Sequence, residues 1–185
     1  MLAMKRVYES KGWTAGPHIF VAPDGIWVFT PVNKQGIGCV GHNDHAIHVE
    51  IVGNYNIDGL HGAMKKNTVD AFRELCLWLN YDPLNLCFHR DYADTECPGR
   101  NILDYFRSEV LTNLLRHEAV KRISTEPIRM NEDAALFKET QITGLNCGAP
   151  LTNEFECCGY IVQGYAWQIL RAKKGNWKNI LRTSW

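Results

Sequence analysis

Apolar and polar positions change their period several times along the chain, and each change predicts an element. Residues 1–12 carry helix formers with Leu2, Val7 and Tyr8 on one face, and Gly12 follows as a stop. HIFVA (18–22) and IWVFT (26–30) are β-rich runs flanking Pro-Asp-Gly, which predicts a hairpin. HAIHVEIV (45–52) predicts a third strand, bounded by the Asn43-Asp44 turn and by Gly53. Between 65 and 80, Val69, Phe72, Leu75, Cys76 and Leu79 recur at helical spacing, with Asn67 or Thr68 as the expected N-cap. NLCFH (85–89) reads as a short buried strand and residues 100–119 as an amphipathic helix. The body is thus an α/β domain over 1–120.

After STEP (124–127) the texture changes to short runs, AALFKE and GYIVQGYAWQILRA among them, separated by Gly- and Asn-containing turns. That alternation predicts a small β-rich, SH3-like module over 126–185. From residue 157 onward Arg171, Lys173, Lys174, Lys178 and Arg182 stand among Tyr160, Tyr165, Trp167, Trp177 and Trp185, with no acidic residue. Such a surface suits an anionic or carbohydrate polymer. Equally, the aromatics suit the core of a small barrel with the lysines as its solvated face.

Twenty Lys and Arg balance twenty Asp and Glu, which removes the broad basic field that nucleic-acid binding normally uses. Neither the start nor any later run has the apolar length of a signal peptide or a membrane span. The expectation is a chain made and kept soluble in a cytoplasm. Seven cysteines at irregular spacings argue against a complete disulfide framework, so most are read as reduced and several as small core hydrophobes.

The chemistry begins at FHRDYADTECPG (88–99). Cys and His are donors that zinc prefers, and a catalytic zinc keeps three protein ligands and one open position. His89 ends the expected strand and Cys97 follows eight residues later before Pro98-Gly99 turns the chain, a loop that can fold both donors onto one ion. A strand-end His and a loop Cys are also common as structural residues. On the third strand, His48 and Glu50 are two apart and so share a face. Burying an ionisable pair without partners is costly, which predicts that this face lines a cleft, a half-exposed strand with both groups solvated being the alternative. A carboxylate beside a metal-activated water can act as general base.

GWTAGPHIFVAPDGIWVFTP, GHNDHAIHVEIVGNY and FHRDYADTECPG, in that order and with a helix between the last two, resemble the zinc-dependent N-acetylmuramoyl-L-alanine amidases. That family spans phage and bacterial cell-wall hydrolases and animal peptidoglycan recognition proteins. The resemblance covers residues 1 to about 115 and implies a central mixed β-sheet flanked by helices. It implies His89 and Cys97 as zinc ligands, Thr95 as the oxyanion stabiliser two residues before the last ligand, and Glu50 as the group that assists the water. The substrate implied is bacterial peptidoglycan, cleaved between muramic acid and L-alanine: zinc polarises the carbonyl and activates water, Glu50 moves the proton and Thr95 steadies the tetrahedral intermediate. His42 and His45, on the turn before the third strand, are the other candidate donors and are read as solvent-exposed or contacting substrate; His42 and Asn43 are the candidate substrate contacts.

The chain also departs from the family pattern. Members carry a first zinc-ligand histidine on a strand preceding the helix before GW, whereas this chain starts inside that helix. Relatives tend to have Gly where this chain has His48, His where it has Gly38, and in some cases a catalytic Tyr where it has Pro17. Three outcomes are open: His48 enters the site as a replacement ligand, a complementing strand comes from a second chain or a longer product, or the domain retains binding without catalysis. The second outcome predicts a homo-oligomer or a complementing chain at an open sheet edge. The leading expectation is a peptidoglycan amidase acting at the bacterial wall, phage-derived, with a C-terminal wall-binding or assembly module. The alternatives are a catalytically inactive peptidoglycan-binding or virion structural protein and, more distantly, a zinc hydrolase acting on another amide.

Overall fold

The computed structural model describes residues 2–125, 128, 130–142 and 147–185, without the side chains of Leu2, Ala3 and Ile142. The expected contribution of Leu2 to a helix face and the Glu126-Pro127 part of the expected boundary therefore lie outside the described residues. The chain is a mixed α/β protein that divides into two compact units. One comprises Met1–Ala71 and Leu86–Phe106, the other Phe72–Asn85 and Arg107–Trp185.

In the first unit a three-stranded mixed sheet has the order β2-β1-β3. β1 (Ile19–Ala22) is central, and its Ile19, Phe20 and Val21 are buried, as the unbroken apolar run requires of a covered strand. β2 (Gly25–Val28) pairs with it antiparallel across the two-residue Pro23-Asp24 link. Gly25 sits at a φ of +152°, a conformation few other residues adopt there. β3 (Val49–Ile51) pairs with β1 parallel, with Phe20 opposite Glu50.

The third strand is shorter than its sequence predicts because the His48 backbone is diverted. Its N–H donates to Nδ1 of His18 at 3.0 Å instead of extending the ladder, while its carbonyl accepts from His18 N and Ile19 N. The run at 85–89 is likewise no strand. Pro83–Asn85 and His89–Asp91 are 3-10 turns, and Phe88 between them is extended but gives its N–H to the Asp91 carboxylate.

Aromatic edges join the helix α1 (Leu2–Ser10) to this sheet. The Tyr8 ring meets Phe29 at 4.9 Å, and Phe29 meets Phe20 at 5.4 Å. The helix α2 (Gly62–Leu79) starts earlier than its expected caps and runs through both units. Asn67 instead donates to the carbonyls of Ala22 and Pro23, anchoring α2 to the β1–β2 turn, and the Thr68 hydroxyl bonds back to Met64. The helix expected over 100–119 is two, α3 (Arg100–Leu103) and α4 (Phe106–Lys121).

In the second unit β4 (Phe155–Cys157), β5 (Tyr160–Gly164), β6 (Ile169–Lys173) and β7 (Ile180–Thr183) form an antiparallel meander. AALFKE is not part of it: α5 (Ala135–Ile142) is a helix, and its Leu136 packs with Leu170, Ala172, Tyr165 and Cys147. Residues of the meander and its flanking turns bond to α2, to the segment after it and to α4. Tyr160 Oη and Lys173 Nζ both bond the Asp82 carboxylate, the Cys158 thiol donates to the Cys76 carbonyl, and Arg116 bonds Ser184. Of the aromatics, Tyr160 and Tyr165 are buried, whereas Trp167 and Trp177 are exposed.

Candidate active site

The loop 88–99 is tied to itself by short-range bonds. Arg90 N donates to the Cys97 carbonyl at 3.3 Å, bringing the His89 end of the loop against the Cys97 end. Tyr92 N and Ala93 N both donate to the His89 carbonyl, and Cys97 N donates to the Thr95 hydroxyl oxygen at 3.3 Å. His89 and Cys97 are exposed and Thr95 is half-buried. The far end is bracketed from the β3–α2 connection: Asn56 bonds the Glu96 carboxylate and accepts from Arg100 N, and Asn101 N donates to the Tyr55 carbonyl. Gly99 must be glycine here, since its φ is +104° and a Cβ would lie 2.4 Å from the Tyr55 backbone. The sequence shows the C-P-G signal but not the Asn56 and Asn101 clamps, which depend on contacts more than forty residues apart.

Glu50 points outward from β3 and is exposed. Its carboxylate acts on the Cys97 thiol, which is raised above its ordinary value first by burial around the sulfur and then by Glu50, although the residue as a whole is exposed. The Tyr8 phenol is likewise raised, by burial first and Glu50 second. His48 lies just outside β3 and is half-buried. A Cβ on Gly38 would come within 2.4 Å of the His48 ring, so the imidazole occupies the space beside that glycine. Burial, followed by His18, His89, His42 and His45, pushes His48 below the usual histidine value. Its Nε2 is buried and has no hydrogen-bond partner among the described residues. His18 beside it is satisfied on both nitrogens, accepting from His48 N and donating to the Lys34 carbonyl.

The turn before β3 holds a second histidine group. His42 Nδ1 and His45 Nε2 are 3.2 Å apart, and His45 Nδ1 is 2.7 Å from the Asp44 carboxylate. The His42 ring lies over Tyr92 of the 88–99 loop at 3.9 Å between centroids. Asn43 uses its side-chain oxygen to accept from Gly38 N and Cys39 N, closing the 38–43 loop. Residues 43–47 face residues 32–35 across an open cleft of about 380 Å³, floored by His18. Tyr92 and Asp44 were not legible as partners of these histidines in the sequence, because neither carries a motif of its own.

The pair of an imidazole and a thiol at one loop fits zinc by donor type. Among the described residues, no three His, Cys, Asp or Glu side chains are grouped closely enough to hold a metal ion. The Arg90 N–Cys97 carbonyl bond thus joins the backbone at the two ends of the loop that carry these donor types, and the orphaned Nε2 of His48 belongs to a ring that His89 influences electrostatically. The seven cysteines are thiols rather than disulfides, five of them buried and Cys87 and Cys97 exposed.

Among solved structures, the N-acetylmuramoyl-L-alanine amidase LysC from Clostridium intestinale URNW matches with a TM-score of 0.50 and 27% identity, over 59% of this chain and 71% of that one. The endolysine N-acetylmuramoyl-L-alanine amidase LysCS from the same organism is 28% identical over 52% of this chain and 63% of that one, with a TM-score of 0.47. No curated protein matches the chain. The N-acetylmuramoyl-L-alanine amidase family profile matches residues 3–100, just over half of the sequence and the segment that carries β1 to β3 and the 88–99 loop. This chain belongs to the N-acetylmuramoyl-L-alanine amidase family.

Proposed function

We propose that the protein hydrolyses the amide between the lactyl group of muramic acid and L-alanine in bacterial peptidoglycan, at the face made by β3 and the 88–99 loop. The observation that carries this reading is the closure of that loop by Arg90 N and the Cys97 carbonyl, with Glu50 acting on the Cys97 sulfur. Zinc is the implied cofactor, with His89 and Cys97 as donors and His48 as the candidate third; when bound it supplies Lewis acidity and favours ionisation of water at neutral pH. The exposed Glu50 carboxylate takes the proton of the attacking water and delivers it to the leaving amine. The Thr95 oxygen already accepts from Cys97 N, so its O–H is left to donate to the carbonyl oxygen as that oxygen gains charge. His42 and Asn43 stand on the approach to this face as substrate contacts.

The same reading treats residues 1–120 as the hydrolase domain and 126–185 as a wall-binding or assembly module, in which Trp167 and Trp177 offer exposed stacking surfaces. It places the protein's action at the cell wall, with a phage origin. No helix among the described residues is long and apolar enough to cross a membrane. The second edge of β3 is where a complementing strand or a second copy would pair.

The test is release of new amino termini from purified peptidoglycan by zinc-loaded protein, with folding checked by circular dichroism. Release that disappears in His89→Ala and Glu50→Gln supports the reading. Folded, zinc-loaded protein that binds the wall and releases nothing would instead establish a non-catalytic binding protein. Zinc content unchanged in His48→Ala removes that residue from the donor set.

A further inference from the structure

The turn Gly41–His48 carries more imidazole than the proposed hydrolysis uses, and two of its rings are already set for a shared ligand. His45 Nδ1 faces the Asp44 carboxylate at 2.7 Å, which holds the proton on Nδ1 and leaves the Nε2 lone pair free. That Nε2 is 3.2 Å from His42 Nδ1. Two imidazole nitrogens bound to one tetrahedral ion at about 2.0–2.1 Å stand roughly 3.3–3.4 Å apart, so the observed spacing needs little adjustment. With His45 Nε2 as the acceptor, the 3.2 Å contact is a hydrogen bond in which His42 donates from Nδ1. Moving that proton to Nε2 of His42 turns the pair from a hydrogen bond into two converging donors.

Both rings are held in place by groups outside the pair. Tyr92 packs against His42 at 3.9 Å, and Asp44 orients His45 from behind in the arrangement that metal-bound histidines use to fix their tautomer. The third member of the neighbourhood is His48, which both rings influence electrostatically and whose buried Nε2 has no partner among the described residues.

We propose that His42 Nδ1 and His45 Nε2 form a binding site for a divalent transition-metal ion of the zinc, nickel or copper class, additional to the His89–Cys97 donors and opening on the cleft that His45 lines. With two protein donors the remaining positions are open to water or to substrate oxygen atoms, so the site takes a coordinating ligand rather than a closed structural ion. Asp44 is a positioning residue.

The experiment is equilibrium dialysis of the reduced full chain against zinc chloride alone, with metal counted per chain by elemental analysis. Wild-type protein is expected to hold two equivalents, and both the double variant His42→Ala/His45→Ala and the double variant His89→Ala/Cys97→Ala one. Asp44→Asn keeps both rings and is expected to weaken the His42–His45 equivalent by about 10–100-fold, read as a shifted dissociation constant in a zinc titration with circular dichroism unchanged. If wild-type binds a single equivalent that only His42→Ala/His45→Ala removes, this site stands and the zinc assignment at His89 and Cys97 falls. A single equivalent lost only in His89→Ala/Cys97→Ala, or lost in both double variants, overturns the separate site, as does no binding at all.

Discussion

The cysteines of the two units show what burial does to one side chain. In the first unit Cys97 is exposed on a hydrogen-bonded loop, within electrostatic reach of the Glu50 carboxylate. In the second, Cys76, Cys157 and Cys158 are buried. The Cys157 and Cys158 sulfurs are 4.0 Å apart, the Cys158 thiol is bonded to the Cys76 carbonyl, and burial pushes Cys76 up to about 12. The first thiol belongs to a residue that solvent reaches; the others behave as small hydrophobes with a weak donor. The same contrast extends to the units themselves. The candidate groups of the first unit lie on β3 and the loops beside it, whereas in the second unit successive residues of β5 and β6 are buried, so both faces of those strands are covered.

If that contrast is right, substitutions in the two units should fail in different measurements. The largest expected effect is on turnover: Glu50→Gln should lower release of new amino termini by about 10²–10⁴-fold, with the urea midpoint unmoved because Glu50 is exposed. An equal loss from a conservative substitution of Lys174, an exposed residue of the second unit, would break the comparison. Next is Leu170→Ala, which removes a fully buried side chain from the α5-facing side of β6. It should cost about 2–5 kcal/mol in urea unfolding while release per folded molecule stays unchanged.

Gly38→Ala sharpens the account of His48. The added methyl would meet the ring at 2.4 Å, so a loss of roughly 1–3 kcal/mol is expected from overpacking, relieved in the Gly38→Ala/His48→Ala double variant. Additive losses would show that the two positions do not share that space.

A smaller effect follows from pH. Cys76 is raised from 9.0, and Tyr160 and Tyr165 from 10.0, each to about 12, in every case chiefly by burial. Their protonated forms are favoured by the fold, so stability is full below pH 9. Between there and about pH 12 the unfolded chain loses protons that the folded chain keeps, and stability falls as pH rises. Urea midpoints at pH 8 and pH 10.5 should differ in that direction, and Cys76→Ala should flatten the fall. The smallest effect is expected from Trp167→Ala, within about 0.5 kcal/mol on stability, with binding to purified wall as the property it changes.

Much of the fold was legible. The hairpin around Pro23-Asp24, the central apolar strand, α2 and the β-rich character of the C-terminal run follow from alternation, helical spacing and turn residues, which are local. The misreadings arose where a distant group competed for a backbone donor. His18, thirty residues away, stops β3 at Val49; Asp91 takes the N–H of Phe88; Asn67 serves the β1–β2 turn rather than a helix cap. The AALFKE run became a helix whose Leu136 had a sheet face to cover.

The sequence by itself determined the donors and their order, since residue type decides which groups ionise, ligate or donate, and the three motifs that mark the family are contiguous stretches. Only the tertiary structure decided which of those groups meet. Gly38 makes room for the His48 ring, Tyr92 and Asp44 hold the His42–His45 pair, and Asn56 and Asn101 clamp the loop that carries Cys97. These contacts join positions far apart along the chain or fix side-chain directions that no periodicity encodes. They form only when backbone donors find partners and apolar faces are covered together.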